Sequence, residues 1–256
     1  MARPLLIFVA LAAAVVLFVV RLIPPTVIDQ RLATLTKGAV HLIDTEGTVW
    51  DARGVLAAGT ARIPLAWRID PSALVRREIR MHFIRGDGSS STAPKGEVAI
   101  RANAVELRDV DATIPAGFIG AFIGAGSGSN AASLIGGDIR LDTALLEWAP
   151  PASRGDVRLM WRGAWLTAPG SVEPVALGDI AATFSAAGDR ISGPVSNTGG
   201  DLGVGGTIAL TAGGGLQLSL LLTPRRADDR QLARALSMIG APEGTGWRVE
   251  WRLPLR

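Results

Sequence analysis

The chain contains no cysteine and no tyrosine, and its 256 residues include only two histidines, His41 and His82, and two lysines, Lys37 and Lys95. Without thiols there is no disulfide framework, no cysteine nucleophile and no cysteine-bearing zinc or iron–sulfur site. Two histidines are too few for a histidine-rich metal centre. Blocks of like charge are missing as well: 26 basic residues against 23 acidic ones leave a net charge of +3. The isoelectric point near 10.4 reflects the high pKa of arginine acting on a small net charge. The densest cluster, Arg76-Arg77-Glu78-Ile79-Arg80, reads as a solvated strand entry. Neither an RNA-binding aromatic signature nor a helix-turn-helix pattern points to a nucleic-acid partner.

What is present is apolar. Hydrophobic residues make up 48% of the chain and charged ones 19%, which excludes disorder for the whole. The 31 glycines and 15 prolines follow no collagen period and favour many turns over long helices. Residues 5–20 (LLIFVALAAAVVLFVV) are sixteen uninterrupted apolar positions, and Leu22-Ile23 extend them past Arg21. At 1.5 Å per residue, a helix over 5–23 spans roughly 28 Å, enough to cross a hydrocarbon core. Arg21 snorkels at one end, and Pro24-Pro25 stop the helix. A cleaved secretory signal is the competing reading, but no small-x-small site follows Val20. The expected organisation is therefore a cytoplasmic N-terminus over 1–4, a transmembrane anchor over 5–23 and a periplasmic β-rich domain over 24–256. Arg3 favours the N-terminus inside, against the opposing pull of Arg21 and Arg31.

Beyond the anchor the chain reads as short β-prone runs separated by glycine, proline or aspartate: 40–43, 48–56, 61–69, 79–84, 96–110, 137–148, 156–166, 177–186, 190–195, 201–210, 216–223 and 247–253. About a dozen strands at such spacing predict a curved, largely antiparallel sheet built from consecutive hairpins. Within 96–110 the alternation changes phase at Ala104-Val105, which predicts a bulge. Two segments depart from the pattern. Residues 116–136 mix an apolar stretch with a Gly/Ser run and predict a long connection or a short helix whose Phe118, Ile119, Phe122 and Ile123 cover the open end of the sheet or, as the alternative, lie on a membrane. Residues 226–239 predict an amphipathic C-terminal helix with Leu232, Leu236 and Ile239 on one face, started by Asp228-Asp229 and ended by Gly240 and Pro242.

No motif for chemistry emerges. The run from Gly124 to Ser129 fails the dinucleotide fingerprint because Ser129 stands where glycine is required, lacks the Gly-Lys-Ser/Thr of a phosphate loop, and gives Ser127 none of the glycines of a nucleophile elbow. No serine is marked as a partner for His41 or His82. Asp109 and Asp111 flank Val110 and share a strand face, too few oxygens for calcium. No catalytic, cofactor-binding or metal-binding residue is assigned, and a non-enzyme is expected. The seven tryptophans, Trp50, Trp67, Trp148, Trp161, Trp165, Trp247 and Trp251, read as core and cross-strand residues. Trp50 is expected on a strand in the core, and Trp247 and Trp251 on one strand face.

Several stretches carry a family resemblance. Glu46-Gly47-Thr48-Val49-Trp50-Asp51-Ala52-Arg53-Gly54 soon after an anchor, then Trp67-Arg68-Ile69-Asp70-Pro71, resemble protein N of the bacterial type II secretion system. Leu134-Ile135-Gly136-Gly137-Asp138-Ile139 with Trp148 looks like that family's central strand pair. The run from Gly199 to Gly206, the strand before Pro224 and Met238-Ile239-Gly240 continue the similarity in order. Asp51 in place of a residue such as glutamine, and the glycine-rich 115–136 segment, depart from it. The resemblance implies a single-pass inner-membrane protein with a periplasmic β domain, a non-enzymatic accessory part of the secretion machinery whose partners are the bilayer and other secretion subunits. An AsmA-type module holding lipid in an apolar groove is the alternative, with lipid as a further candidate partner. An envelope hydrolase is the third reading. The lipid reading requires Val98, Ile100, Leu141 and Leu218 to line an open trough that the 226–239 helix leaves unsealed.

Overall fold

The computed structural model describes residues 24–85, 93–127, 134–167, 173–213, 215–226 and 230–254. The expected anchor over 5–23 lies outside them, and among the described residues no helix is long and apolar enough to cross a membrane. Fourteen strands form one antiparallel sheet: β1 (His41–Thr48), β2 (Asp51–Ala58), β3 (Ala61–Ile69), β4 (Ile79–Phe83), β5 (Lys95–Arg101), β6 (Ala104–Pro115), β7 (Ile135–Trp148), β8 (Ser153–Leu166), β9 (Val175–Gly188), β10 (Arg190–Thr198), β11 (Leu202–Thr211), β12 (Gly215–Pro224), β13 (Ala241–Glu243) and β14 (Gly246–Pro254). From β1 to β12 every strand pairs with its neighbours in sequence. Beyond β12 comes β14, with β13 outermost. The expected succession of hairpins is the observed topology, and the sheet is open.

The strand count exceeds the expectation by two: the 96–110 run is a hairpin of two strands, and β13 was not expected; the 48–56 run also contains a hairpin tip. Arg101 pairs with Ala104, so Ala102-Asn103 is a two-residue turn, and the phase change expected as a bulge is that turn. Asparagine supplies the turn chemistry there. The bulge lies further along, between Lys95 and Glu97, opposite Asp109 at φ 49°. Similarly, Thr48 pairs with Asp51, which leaves Val49-Trp50 as the tip of the β1–β2 hairpin. Trp50 is thus half-buried at a turn and not a core strand residue. Nothing in Val-Trp marks a turn. Gly47 does, at φ 101°, where a Cβ would sit 2.3 Å from the Asp51 carbonyl oxygen.

Among the described residues three helices and a 3-10 turn accompany the sheet. Helix α1 (Thr26–Leu35) begins directly after Pro25 and carries Asp29 in its first turn. It was not expected, because Thr26, Val27 and Ile28 favour a strand; burial of Ile28 and Leu32 against Leu42, Ala52 and Trp67 overrides that preference. The 3-10 turn Pro71–Arg76, likewise not anticipated, starts where the Asp70 carboxylate accepts from the Ser72 N–H at 2.9 Å. Helix α2 (Ala116–Ser127) resolves the choice for the glycine-rich segment in favour of a short helix. Helix α3 (Arg230–Ile239) is the expected C-terminal helix; Asp228-Asp229 lie outside the described residues.

Strand register separates two faces. Trp67 opposes Phe83, Met81 opposes Val98, Leu107 opposes Leu146, and Ile139 opposes Trp161, so one apolar face runs across the sheet. The other face is charged. Arg68 meets Asp51 at 2.9 Å, Arg80 meets Glu78 at 2.6 Å, and Arg154 meets Glu147 at 2.7 Å. Arg101 reaches Glu78 at 2.8 Å and Glu106 at 3.1 Å. The sheet bends toward its apolar side: α2 touches β2 as well as β6 and β7, and β3 approaches β6 across two intervening strands. Burial remains shallow, since among the described residues no large side chain is fully buried. A single folded layer, partly covered by short helices, produces this.

Candidate interaction groove

The apolar face is best covered at its ends. Near the N-terminal end α1 closes it, and Asp29 of that helix accepts from the Leu42 backbone N–H of edge strand β1 at 2.8 Å. Near the C-terminal end α3 inserts Leu232 and Leu236 among Ala164, Leu177 and Leu202. Beside α3 the face opens into a groove of ≈ 400 Å³ whose lining side chains are all apolar. Trp161, Phe184, Ile208, Leu220 and Val249 form its floor, and Ile239 and Trp251 stand at its rim, 46% and 48% exposed. The Trp161 indole N–H is already spent on the Gly136 carbonyl at 2.9 Å. Such a groove binds by burying apolar surface and offers no side-chain donor to orient a polar ligand.

Next to the groove's lining residues, one tryptophan lies across a glycine and two more share a strand. Trp165 on β8 opposes Gly136 on β7, and a Cβ on Gly136 would overlap the Trp165 indole at 2.2 Å. The ring therefore lies across the glycine, a contact that sequence spacing alone does not disclose. Trp247 and Trp251 do share one face of β14, opposite Leu222 and Leu218. Trp247 packs against the cluster under α3 while Trp251 stays exposed. Of the four residues that were to line an open trough, Leu218 lines the groove. Leu141 packs beside Leu146, Val157 and Ala186. Val98 and Ile100 lie on the same face at β5, the latter 46% exposed.

On the charged face many of the titratable residues form ion pairs. His82 sits between Arg68 and Glu97 in register, with Nδ1 at 3.4 Å from Glu97 Oε2. His41 lies 3.6 Å from Asp29 on the far edge strand, so the structure does not bring the two histidines together. The bulge at Asp109 breaks the alternation that was to align it with Asp111, and Asp111 instead accepts from Arg140 at 3.1 Å. Glu78 and Glu106 are buried under arginines. Hydrogen bonds from Arg101 and Arg80 hold the Glu78 carboxyl below its ordinary range, and one from Arg108 does the same for Glu106. Among the described residues no group of three or more His, Asp or Glu is placed to hold a metal ion.

No curated protein and no solved structure gives a significant match to this chain. A family model does match. The model of the type II secretion system (T2SS) protein N covers residues 38–250, from just before β1 into β14 and so across the groove. With that match spanning most of its length and the whole succession of hairpins, the chain belongs to the type II secretion system protein N family.

Proposed function

We propose that this component of the type II secretion machinery acts without catalysis, as a scaffold held in the inner membrane by residues 5–23, with residues 24–256 forming a periplasmic sheet that contacts other secretion subunits. The observation that carries this reading is the open apolar groove within the family-matched sheet: a binding surface of ≈ 400 Å³ with no polar lining group. A partner apolar segment laid along Leu218, Leu220 and Val249 gains by surface burial, roughly 25 cal/mol per Å². The charged face keeps the other side of the sheet in water. The lipid-handling alternative is favoured by the same groove, since an acyl chain needs apolar walls and no oriented donor.

Mass spectrometry of the detergent-extracted full chain separates the two. Recovery of other secretion subunits in fixed proportion, with an intact mass that includes residues 1–23, is the expected result. A mature chain beginning near residue 24 would remove the anchor. Phospholipid retained at one per chain, with no subunit recovered, would replace the scaffold by the lipid module.

A further inference from the structure

The C-terminal edge of the sheet is only partly closed. β13 pairs with β14 through Ala241–Arg248, Pro242–Trp247 and Glu243–Gly246 alone. At Gly240 the chain turns away into α3, and a Cβ there would already press on the Arg248 carbonyl oxygen at 2.8 Å. From residue 249 onward β14 therefore has β12 on one side and no strand on the other among the described residues. The edge without a neighbouring strand reads Val249-Glu250-Trp251-Arg252-Leu253, with Pro254 after it. Trp251 faces the groove; Glu250 and Arg252 are exposed on the opposite face, and neither has an ion-pair partner among the described residues.

We infer that this edge pairs with the same edge of a second copy of the chain, antiparallel and centred on Trp251. The stretch is complementary to itself in that register. Directly opposed residues of an antiparallel pair point to the same face. Trp251 then meets Trp251 of the second copy on the groove face, and Glu250 and Arg252 meet Arg252 and Glu250 on the charged face. Shifting the centre to Glu250 or Arg252 opposes like charges, which destabilises a pair. A one-residue slip turns the groove face of one copy to the charged face of the other. Among registers that pair within residues 249–253, the Trp251-centred one satisfies both the charges and the faces; a Val249-centred one would oppose Glu250 to an Arg248 that is already paired. It also ends cleanly. Pro254 has no N–H to donate, and in the other direction the next residue, Arg248, already pairs with Ala241. The two apolar grooves become one continuous trough across the junction.

The absence of cysteine makes the test direct. In the full chain in detergent, Trp251→Cys introduces a single thiol, and opposed Cα atoms of an antiparallel pair, ~4.5–5.5 Å apart, fall within disulfide range. Mild oxidation is expected to give a covalent dimer, whereas Arg62→Cys, at an exposed position of inner strand β3, gives none. By sedimentation the parent chain is a dimer, and Glu250→Arg or Arg252→Glu alone weakens it at least about tenfold. Combining the two substitutions restores it. A chain that stays monomeric overturns the inference and leaves the edge to a strand of another secretion subunit. A dimer indifferent to both single substitutions, or one that the combined exchange fails to restore, overturns it as well.

Discussion

Trp67 and Trp50 come from similar stretches of sequence and end in different roles. Trp67 lies on β3 between Ala52 and Phe83, 3% exposed, and its indole N–H donates to the Val49 carbonyl at 3.0 Å. That bond ties the ring to the tip of the β1–β2 hairpin, where Trp50 sits half-buried. Both tryptophans are legible as residues of a β domain. Which one is core is not, because the deciding feature is the glycine conformation at Gly47 that places the turn. Trp67→Ala is expected to cost about 3–5 kcal/mol, and Trp50→Ala about 1–2 kcal/mol. Denaturant midpoints of the two variants check the order; equal losses, or a larger loss at Trp50, would place the core at the wrong tryptophan.

At the scale of elements, what the sequence disclosed tracks how much of each element is set by its own periodicity. Helix α3 was readable because Leu232, Leu236 and Ile239 recur on one face and Gly240 ends it. Helix α1 was hidden because its β-branched start opposes a helix and only Trp67 and its neighbours decide otherwise. The groove was half-visible: alternating apolar residues in β11, β12 and β14 imply an apolar face, but its mouth depends on where α3 stops. Leu236 is 3% exposed and anchors α3 onto Leu177 and Leu202, while on the same helix Met238 is largely uncovered and Ile239 is half-covered at the groove rim. Leu236→Ser should therefore release α3 without unfolding the strands beneath it. In hydrogen exchange followed by mass spectrometry, the amides of residues 232–239 should lose protection while β11 and β12 keep theirs. Loss of protection in β12 together with α3 would show the helix to be part of the sheet's own cooperative unit.

For the whole molecule the governing fact is that the sheet is one layer of hairpins, each strand touching little beyond its neighbours. Stability in such an array is close to a sum of neighbouring interfaces, as in repeat proteins, so a weak interface divides it. The weak interface is visible in the register. β3 and β4 share three opposed pairs, Trp67–Phe83, Arg68–His82 and Ile69–Met81, and β4 is five residues long. By contrast β7, β8 and β9 are each fourteen residues long, roughly 46 Å of strand, and pair along most of that length. Across the weak interface the supports are few: α2 against β2, the approach of β3 to β6, and the main-chain bonds from Ile84 to Ala66 at 2.9 Å and from Asp70 to Arg80 at 2.9 Å. Unfolding should accordingly occur in two steps, with α1 and β1–β3 opening before β7–β9. Hydrogen exchange across a denaturant series resolves this by segment. Amides of residues 41–69 should reach full exchange at a lower denaturant concentration than those of residues 135–188. Trp67→Ala, which weakens the first unit and its junction with β4, should widen the gap, and a single coincident transition in the parent and the variant would mean that the short helices bind the sheet into one cooperative body.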